Sequence, residues 1–257
     1  THMHPDHMGL AGYLAPLFGV EVWASLSDWT YGRMLALDGG EAFMDVHVDF
    51  FHRAGLTGPD MDLVYERGNS YAKRAMAPPP SFHRLIGGHR LAIGGQNWRL
   101  IEGNGHSPEH ISLYNPERNI LISGDQVLPK ISPIVSVWPQ EPKADPLTQF
   151  MASLDSFADI PDDVFVLPSH GLPFKGLKTR LAQLRTHHDQ RLDDTRTATQ
   201  TPATVMEVLR VLFPKASDPN DVLFACTETI AHLHRLMTLG EIKWEAGPDG
   251  LDRYLKT

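Results

Sequence analysis

Hydrophobic positions along the chain follow two rhythms. Helical spacing comes first, in an apolar run from Met8 to Leu17 and again from Ser25 to Phe51, where Trp29, Met34, Leu35, Phe43, Val46 and Phe50 recur at the period of an amphipathic helix. Gly39-Gly40 divides that second stretch into two predicted helices, with Asp28 as the expected cap of the first. A further helix is predicted from Asp60 to about Ala75, closed by Pro78-Pro79-Pro80. Short buried strands follow. Trp98, Leu100 and Ile101 run into a glycine-rich turn, Leu121-Ile122-Ser123 runs into Gly124-Asp125, and Val164 to Leu167 runs into Pro168-Ser169-His170-Gly171. Helices are predicted at Pro146 to about Phe157 and at Leu177 to Thr197, the latter with a stripe of Leu181, Leu184 and His188. The chain then reads helix (Thr204 to Phe213), helix (Ala225 to Leu239) and a hairpin turning at Pro248-Asp249-Gly250.

Chemistry is concentrated where these strands end. Histidine is the commonest metal ligand among side chains, and this chain has 14, beginning with His2-Met3-His4-Pro5-Asp6-His7. In an extended segment alternate residues share a face, so His2 and His4 can address one cation; the turn at Pro5 then lets Asp6 and His7 address a second. The three strand ends supply more of the same ligand types. His106 lies in Gly103-Asn104-Gly105-His106-Ser107-Pro108-Glu109-His110, Asp125 follows Gly124, and His170 precedes Gly171.

These four motifs, in this order, resemble the metallo-β-lactamase superfamily and in particular its glyoxalase II-like hydrolases. The resemblance runs from His2 to about Gly176, and the remainder is similar to a branch that ends in a small winged-helix domain. It implies an α/β (α+β) fold, the αββα sandwich, with a helical insertion at about 25–80. The implied domains are a catalytic domain at 1–176, a connecting helix at 177–200 and a winged-helix-like domain at 201–257. It also implies a ligand set. His2, His4 and His106 would hold one metal, Asp6, His7 and His170 the other, and Asp125 both, with Asp6 additionally handling the proton of the attacking water. Two divalent ions are therefore expected, Zn²⁺ foremost, with iron or manganese also admitted by a nitrogen and oxygen donor set. The family's Gly-His-Thr-x-Gly-His stretch here reads Gly-His-Ser-Pro-Glu-His, so Glu109 replaces a glycine and His110 is expected behind the ligand loop. Family members usually carry some tens of residues before the opening motif, forming the first strands; those strands are expected to lie outside this sequence, in a longer chain or on a partner.

Composition narrows the function. At 257 residues with 42% hydrophobic and 21% charged positions, the chain has room for one large core or two smaller ones. No apolar stretch is long enough to span a membrane and no signal peptide is legible, so a cytoplasmic protein with no membrane partner is expected, a targeting segment upstream aside. The single Cys226 allows no internal disulfide. A net charge of -8, with six Lys or Arg against eight Asp or Glu in 201–257, opposes nucleic-acid binding and makes the last domain a packing or dimerisation module, with a homodimer left open.

A small-molecule substrate is expected. Trp29, Tyr31, Phe50, Phe51 and Tyr71 are candidate walls of an apolar pocket, and Lys130, in the proline-rich loop after Asp125, is a candidate for an anionic substrate tail. On the helix from Leu177, the position where the winged-helix branch has a His-Arg pair reads His187-His188, which favours packing over a phosphate role. The expected reaction is attack by hydroxide held between two cations on an ester-like carbonyl. A thioester such as acyl-CoA or acyl-glutathione is favoured, because a thiolate, with a thiol pKa near ~8.5, leaves without a general acid. A lactone uses the same machinery, and a phosphodiester or RNA is the alternative from another class.

Overall fold

The computed structural model describes residues 1–257. In chain order it contains α1 (Pro5–Met8), α2 (Ala11–Phe18), β1 (Trp23–Ala24), α3 (Leu26–Leu37), α4 (Glu41–Ala54), α5 (Pro59–Arg67), β2 (His83–Arg84), β3 (Arg90–Ile93), β4 (Gln96–Gly103), β5 (His110–Asn115) and β6 (Ile120–Gly124). There follow α6 (Pro146–Ser153), extended by a 3-10 turn at Leu154–Phe157, then β7 (Phe165–Pro168), α7 (Leu177–Ala198) and β8 (Ala203–Thr204). The chain closes with α8 (Val205–Leu212), α9 (Pro219–Thr238), β9 (Ile242–Ala246) and β10 (Asp252–Lys256). The architecture is mixed α/β. Residues fall into two compact units that are not collinear with the sequence: 1–38, 70–133 and 149–185 form the first, and 39–69, 134–148 and 186–257 the second.

The first unit is organised by a five-stranded sheet in the order β3-β4-β5-β6-β7. Its first three pairings are antiparallel, and β6 and β7 run parallel. That topology decides where the chemistry sits. The end of β4, the start of β5 and the ends of β6 and β7 all lie at one edge of the sheet, as the pairings Gly103↔His110 and Gly124↔Pro168 require. Its central strands bury consecutive residues such as Leu100-Ile101 instead of alternating, the pattern of a sheet covered on both faces. On one face Leu85, Leu100 and Ile111 pack together with Leu91 and Leu113. The only other strands of this unit are the parallel two-residue pair β1 and β2, with Trp23 opposite His83.

Three predicted helices are redrawn. The run from Met8 breaks at Gly9, whose carbonyl accepts the Met76 N–H, so α1 and α2 are separate. The helix expected to reach Ala75 stops at Arg67, because Gly68 turns the chain out at φ +49°. The last long helix begins earlier than expected, at Pro219, where Asp218 accepts the Asn220 N–H at 2.9 Å. No helix is long and apolar enough to cross a membrane.

In the second unit α8, α9 and the three-stranded sheet β8-β10-β9 follow one another. A capping box starts α8: the Glu207 carboxylate accepts the Thr204 N–H at 2.7 Å while the Thr204 hydroxyl accepts the Glu207 N–H at 3.3 Å. Beside α9 lies a fully buried imidazole pair, His188 Nδ1 being 3.3 Å from His232 Nε2, with His232 Nδ1 donating to the Glu228 carbonyl at 2.8 Å. Burial above all, with the nearby His187 and Arg191 adding to it, holds both imidazoles well below the usual histidine range, and His232 lowers His188 further. Glu228 is shifted oppositely, burial pushing its carboxyl up to about 7.

The pH dependence follows in sign. Both histidines are neutral when folded and titrate near ~6.5 when unfolded, so the stability they contribute is present above that pH and is lost as the pH falls below it. The neutral Glu228 carboxyl favours the folded state in the acid direction and opposes this trend. Replacing His232 with Gln should therefore flatten the fall in unfolding free energy between about pH 6.5 and 5, by up to ~1.4 kcal/mol per pH unit for the imidazole removed. Denaturant titrations across that range check this; an unchanged slope would contradict it.

Candidate metal centre

Of the eight residues that sequence places at the motif ends, six (His2, His4, Asp6, His7, His106 and His170) converge around a seventh, the Asp125 carboxylate. Asp125 follows β6 and His170 follows β7, so two parallel strands deliver them side by side; the loop from β4 to β5 delivers His106. The opening segment brings the rest, with His4 extended (φ -57°, ψ 151°) at the start of α1, and Asp6 and His7 on α1 itself. Asp125 Oδ2 lies 3.4 Å from His106 Nε2, 3.4 Å from His170 Nε2, 3.5 Å from His7 Nε2 and 3.9 Å from His2 Nε2. His2 Nε2 is 2.9 Å from His4 Nδ1 and 3.3 Å from His106 Nε2. Asp6 Oδ2 lies 3.2 Å from His170 Nε2 and 3.4 Å from His7 Nε2. Three overlapping sets result, each with donor atoms within 4.8 Å of one another: His2, His4 and His106; His2, His7 and Asp125; Asp6, His7 and His170.

These spacings fit divalent cations. Four ligands around a tetrahedral zinc at ~2.0–2.1 Å stand about 3.3 Å from one another, which is the separation seen here. The unpaired atoms agree. His7 Nε2 and Asp125 Oδ1 are buried without a hydrogen-bond partner, a cost that coordination would remove. Burial, followed by the neighbouring imidazoles, holds His2 far below its ordinary range, and burial does the same to His4, so both offer lone pairs at neutral pH. Burial alone would raise the Asp125 carboxyl, but His106 and His7 outweigh it and hold the group well below the usual carboxylate range. The centre is asymmetric in exposure: the side chains of His2, His106 and Asp125 are 0%, 6% and 8% exposed, whereas those of Asp6 and His170 are 57% and 48% exposed.

A ring of supporting contacts fixes the candidate ligands. His110 is fully buried, and its Nε2 accepts the backbone N–H of Asp125 at 3.1 Å; desolvation keeps this imidazole neutral. Gly124 explains the Gly-Asp spelling. It sits at φ +53°, and a Cβ there would meet His110 Nε2 at 2.4 Å. On the rim, the buried Arg180 donates to the carbonyls of Leu128 at 2.5 Å and Ile131 at 2.7 Å, pinning the loop that leaves Asp125. Pro129 of that loop lies so close to Gly171 that a Cβ there would come within 2.8 Å, which ties the Asp125 loop to the His170 loop.

Asp28, the expected helix cap, is instead an internal strut. Ser25 occupies the cap position of α3, and the Asp28 carboxylate, wholly buried, accepts the N–H of Met3 at 3.0 Å, the N–H of Glu109 at 3.1 Å, the hydroxyl of Ser25 at 3.1 Å and that of Ser107 at 3.3 Å. Sequence reading misses this role because Ser-Leu-Ser-Asp before an apolar run spells a cap equally well. Arg180 leaves no signal, being one of several cations on a charged helix.

The other candidates lie elsewhere. Tyr71 is buried and its hydroxyl donates to the Met3 carbonyl, so it braces the opening ligand segment. Trp29 donates Nε1 to the Pro79 carbonyl at 3.1 Å and stacks on Phe82 at 4.4 Å. Tyr31 is half-buried on α3 and Lys130 is exposed. Phe50 and Phe51 belong to the second unit, as do His187 and the buried His188.

Residues 1–170 match the family described as the metallo-beta-lactamase superfamily, and 192–257 match the metallo-beta-lactamase-like C-terminal domain. A beta-lactamase domain protein from Burkholderia ambifaria is 39% identical and superposes with a TM-score of 0.90 over 100% of this chain and 74% of its own. A metallo-beta-lactamase family protein from Thermus thermophilus is 29% identical, with a TM-score of 0.81 over 100% of this chain and 78% of its own. A hydroxyacylglutathione hydrolase from Haemophilus influenzae is 24% identical over 171 residues, spanning 66% of this chain and 66% of that protein. A convergent histidine and aspartate centre, a family match over most of the chain and two structural likenesses that cover all of it lead to one conclusion: the chain belongs to the metallo-beta-lactamase superfamily.

Proposed function

We propose that this chain hydrolyses an ester-like carbonyl, with a thioester such as an acyl-CoA or acyl-glutathione as substrate. The observation that carries the reading is the placement of four imidazole nitrogens within 3.9 Å of a single Asp125 oxygen. On this reading His2, His4 and His106 hold one divalent cation, Asp6, His7 and His170 hold a second, and Asp125 serves both. Zinc is favoured by the nitrogen and oxygen donors, which also suit iron or manganese. When bound, the two ions supply a water acidic enough to attack at neutral pH and a Lewis acid for the carbonyl.

The residues supply the remainder. Asp6 is the exposed carboxylate of the centre, and it takes the proton of the attacking water while remaining within 3.2 Å of His170. His110 holds the Asp125 backbone, and so keeps the shared carboxylate aimed, through its 3.1 Å bond. No general acid stands in the cluster apart from the ligands themselves, which suits a thiolate leaving group better than an amine or alkoxide. The likeness to a hydroxyacylglutathione hydrolase supports the same class of substrate. Residues 1–176 would then be catalytic, 177–200 a connecting helix, and 201–257 a winged-helix-like module that does not read nucleic acid, in keeping with the net charge of -8.

Two outcomes are expected. Asp125→Ala or His170→Ala should bring bound metal below two per chain and cut hydrolysis by more than ~100-fold, beyond the loss typical when an outer hydrogen-bonding partner is removed; metal analysis with a turnover assay checks this, and full activity in either variant would sink the binuclear assignment. The metal-loaded protein should release thiol from acyl-CoA or acyl-glutathione thioesters. Metal bound with no thiol released across such a panel, and turnover of lactones or phosphodiesters instead, would overturn the thioester reading while leaving the centre intact.

A further inference from the structure

Glu109 stands where the glyoxalase-type motif has a glycine, and its backbone N–H meets the buried Asp28 carboxylate, which the hydrolytic chemistry does not use. The two residues are linked in both directions. Asp28, in the first turn of α3, accepts the backbone N–H of Glu109 at 3.1 Å, and the Glu109 carboxylate accepts the backbone N–H of Ser27, also in that first turn, at 2.8 Å. Ser25 makes no side-chain cap bond, and one of the free first-turn N–H groups of α3, that of Ser27, is satisfied from a loop 82 residues downstream. Arg84 steadies the clasp from outside, 3.5 Å from the second Glu109 oxygen.

The remaining partners of Asp28 give the clasp its purpose. Met3 lies between His2 and His4, and Ser107 follows His106; both donate to Asp28, Met3 through its backbone at 3.0 Å and Ser107 through its hydroxyl at 3.3 Å. A buried carboxylate is costly unless its oxygens are hydrogen-bonded, and an apolar residue would fill the space at less cost. The two oxygens divide the donors: Oδ1 accepts from Met3 of the opening segment, and Oδ2 from Ser107 and Glu109 of the glycine-rich loop and from Ser25. The four donors to this carboxylate come from neither the helix carrying Asp6 and His7 nor the loop carrying His170, so its hold is selective for one of the two ligand sets.

We propose that Asp28 is a positioning residue that sets the spacing of His2 and His4 against His106, with Glu109 locking it to the glycine-rich loop, so that it governs the affinity of one cation and not the other. The proposal rests on the binuclear reading above. Its test is a competitive chelator titration of the full chain with Zn²⁺, compared with Asp28→Asn, which keeps the volume and one acceptor but sets an NH₂ against a donor. The expected result is two Zn²⁺ per wild-type chain, with one of the two bound about 10–100-fold more weakly in the variant and the other unmoved. Glu109→Gln retains an acceptor for the Ser27 N–H and should stay near wild type, whereas Glu109→Ala should weaken the same single site. If Asp28→Asn does not fold, Ser107→Ala removes one bond from the same carboxylate without burying a new donor and should weaken that site in the same direction. Unchanged affinity in folded variants, or equal weakening at both sites, overturns the positioning role. A wild-type chain that binds fewer than two ions overturns the binuclear reading itself, and the clasp with it.

Discussion

One buried carboxylate among imidazoles is the constraint on which the first unit depends. Asp125 is shielded from water, and a carboxylate in that setting needs compensating positive charge or strong donors. Two of the imidazoles beside it, His2 and His4, are held neutral by burial, so they bring lone pairs rather than charge. Cations resolve both demands at once. The sheet topology makes the arrangement reachable: β6 and β7 run parallel and end together, while β4 and β5 meet at the same edge, so short loops from one edge deliver candidate ligands that are far apart in sequence.

Rigidity is distributed unevenly around that carboxylate. On the buried side, His110, Gly124, Asp28 and Tyr71 hold the backbone around His2, His4, His106 and Asp125. On the other side Asp6 and His170 stand about half exposed, and the loop after Asp125 is held by Arg180 from α7. A preformed inner half and an accessible outer half is the division expected of a centre that must hold its metals and still admit substrate.

Much of the candidate site is legible in the sequence because its histidines and Asp125 are spelled at strand ends with glycine beside them. Gly124 and Gly171 take positive φ where a side chain would strike His110 or Pro129, so the glycine-ligand spelling records close packing. The helices between the first two motifs are also legible, down to the break at Gly39-Gly40, since apolar periodicity and glycine act locally. What escapes is non-local. Asp28 draws its partners from positions 3, 25, 107 and 109, and its sequence neighbourhood spells a cap just as well. The early end of α5 turns on the backbone angle of Gly68, and the grouping of 39–69 with 186–257 in the second unit has no signature in periodicity at all.

The most direct test of the account is the location of metal. Crystals grown with Zn²⁺ and measured on both sides of the zinc absorption edge should give two anomalous peaks, one among His2, His4 and His106 and the other among Asp6, His7 and His170, with the Asp125 carboxylate adjoining both. A single peak, or two peaks with Asp125 touching neither, would contradict it.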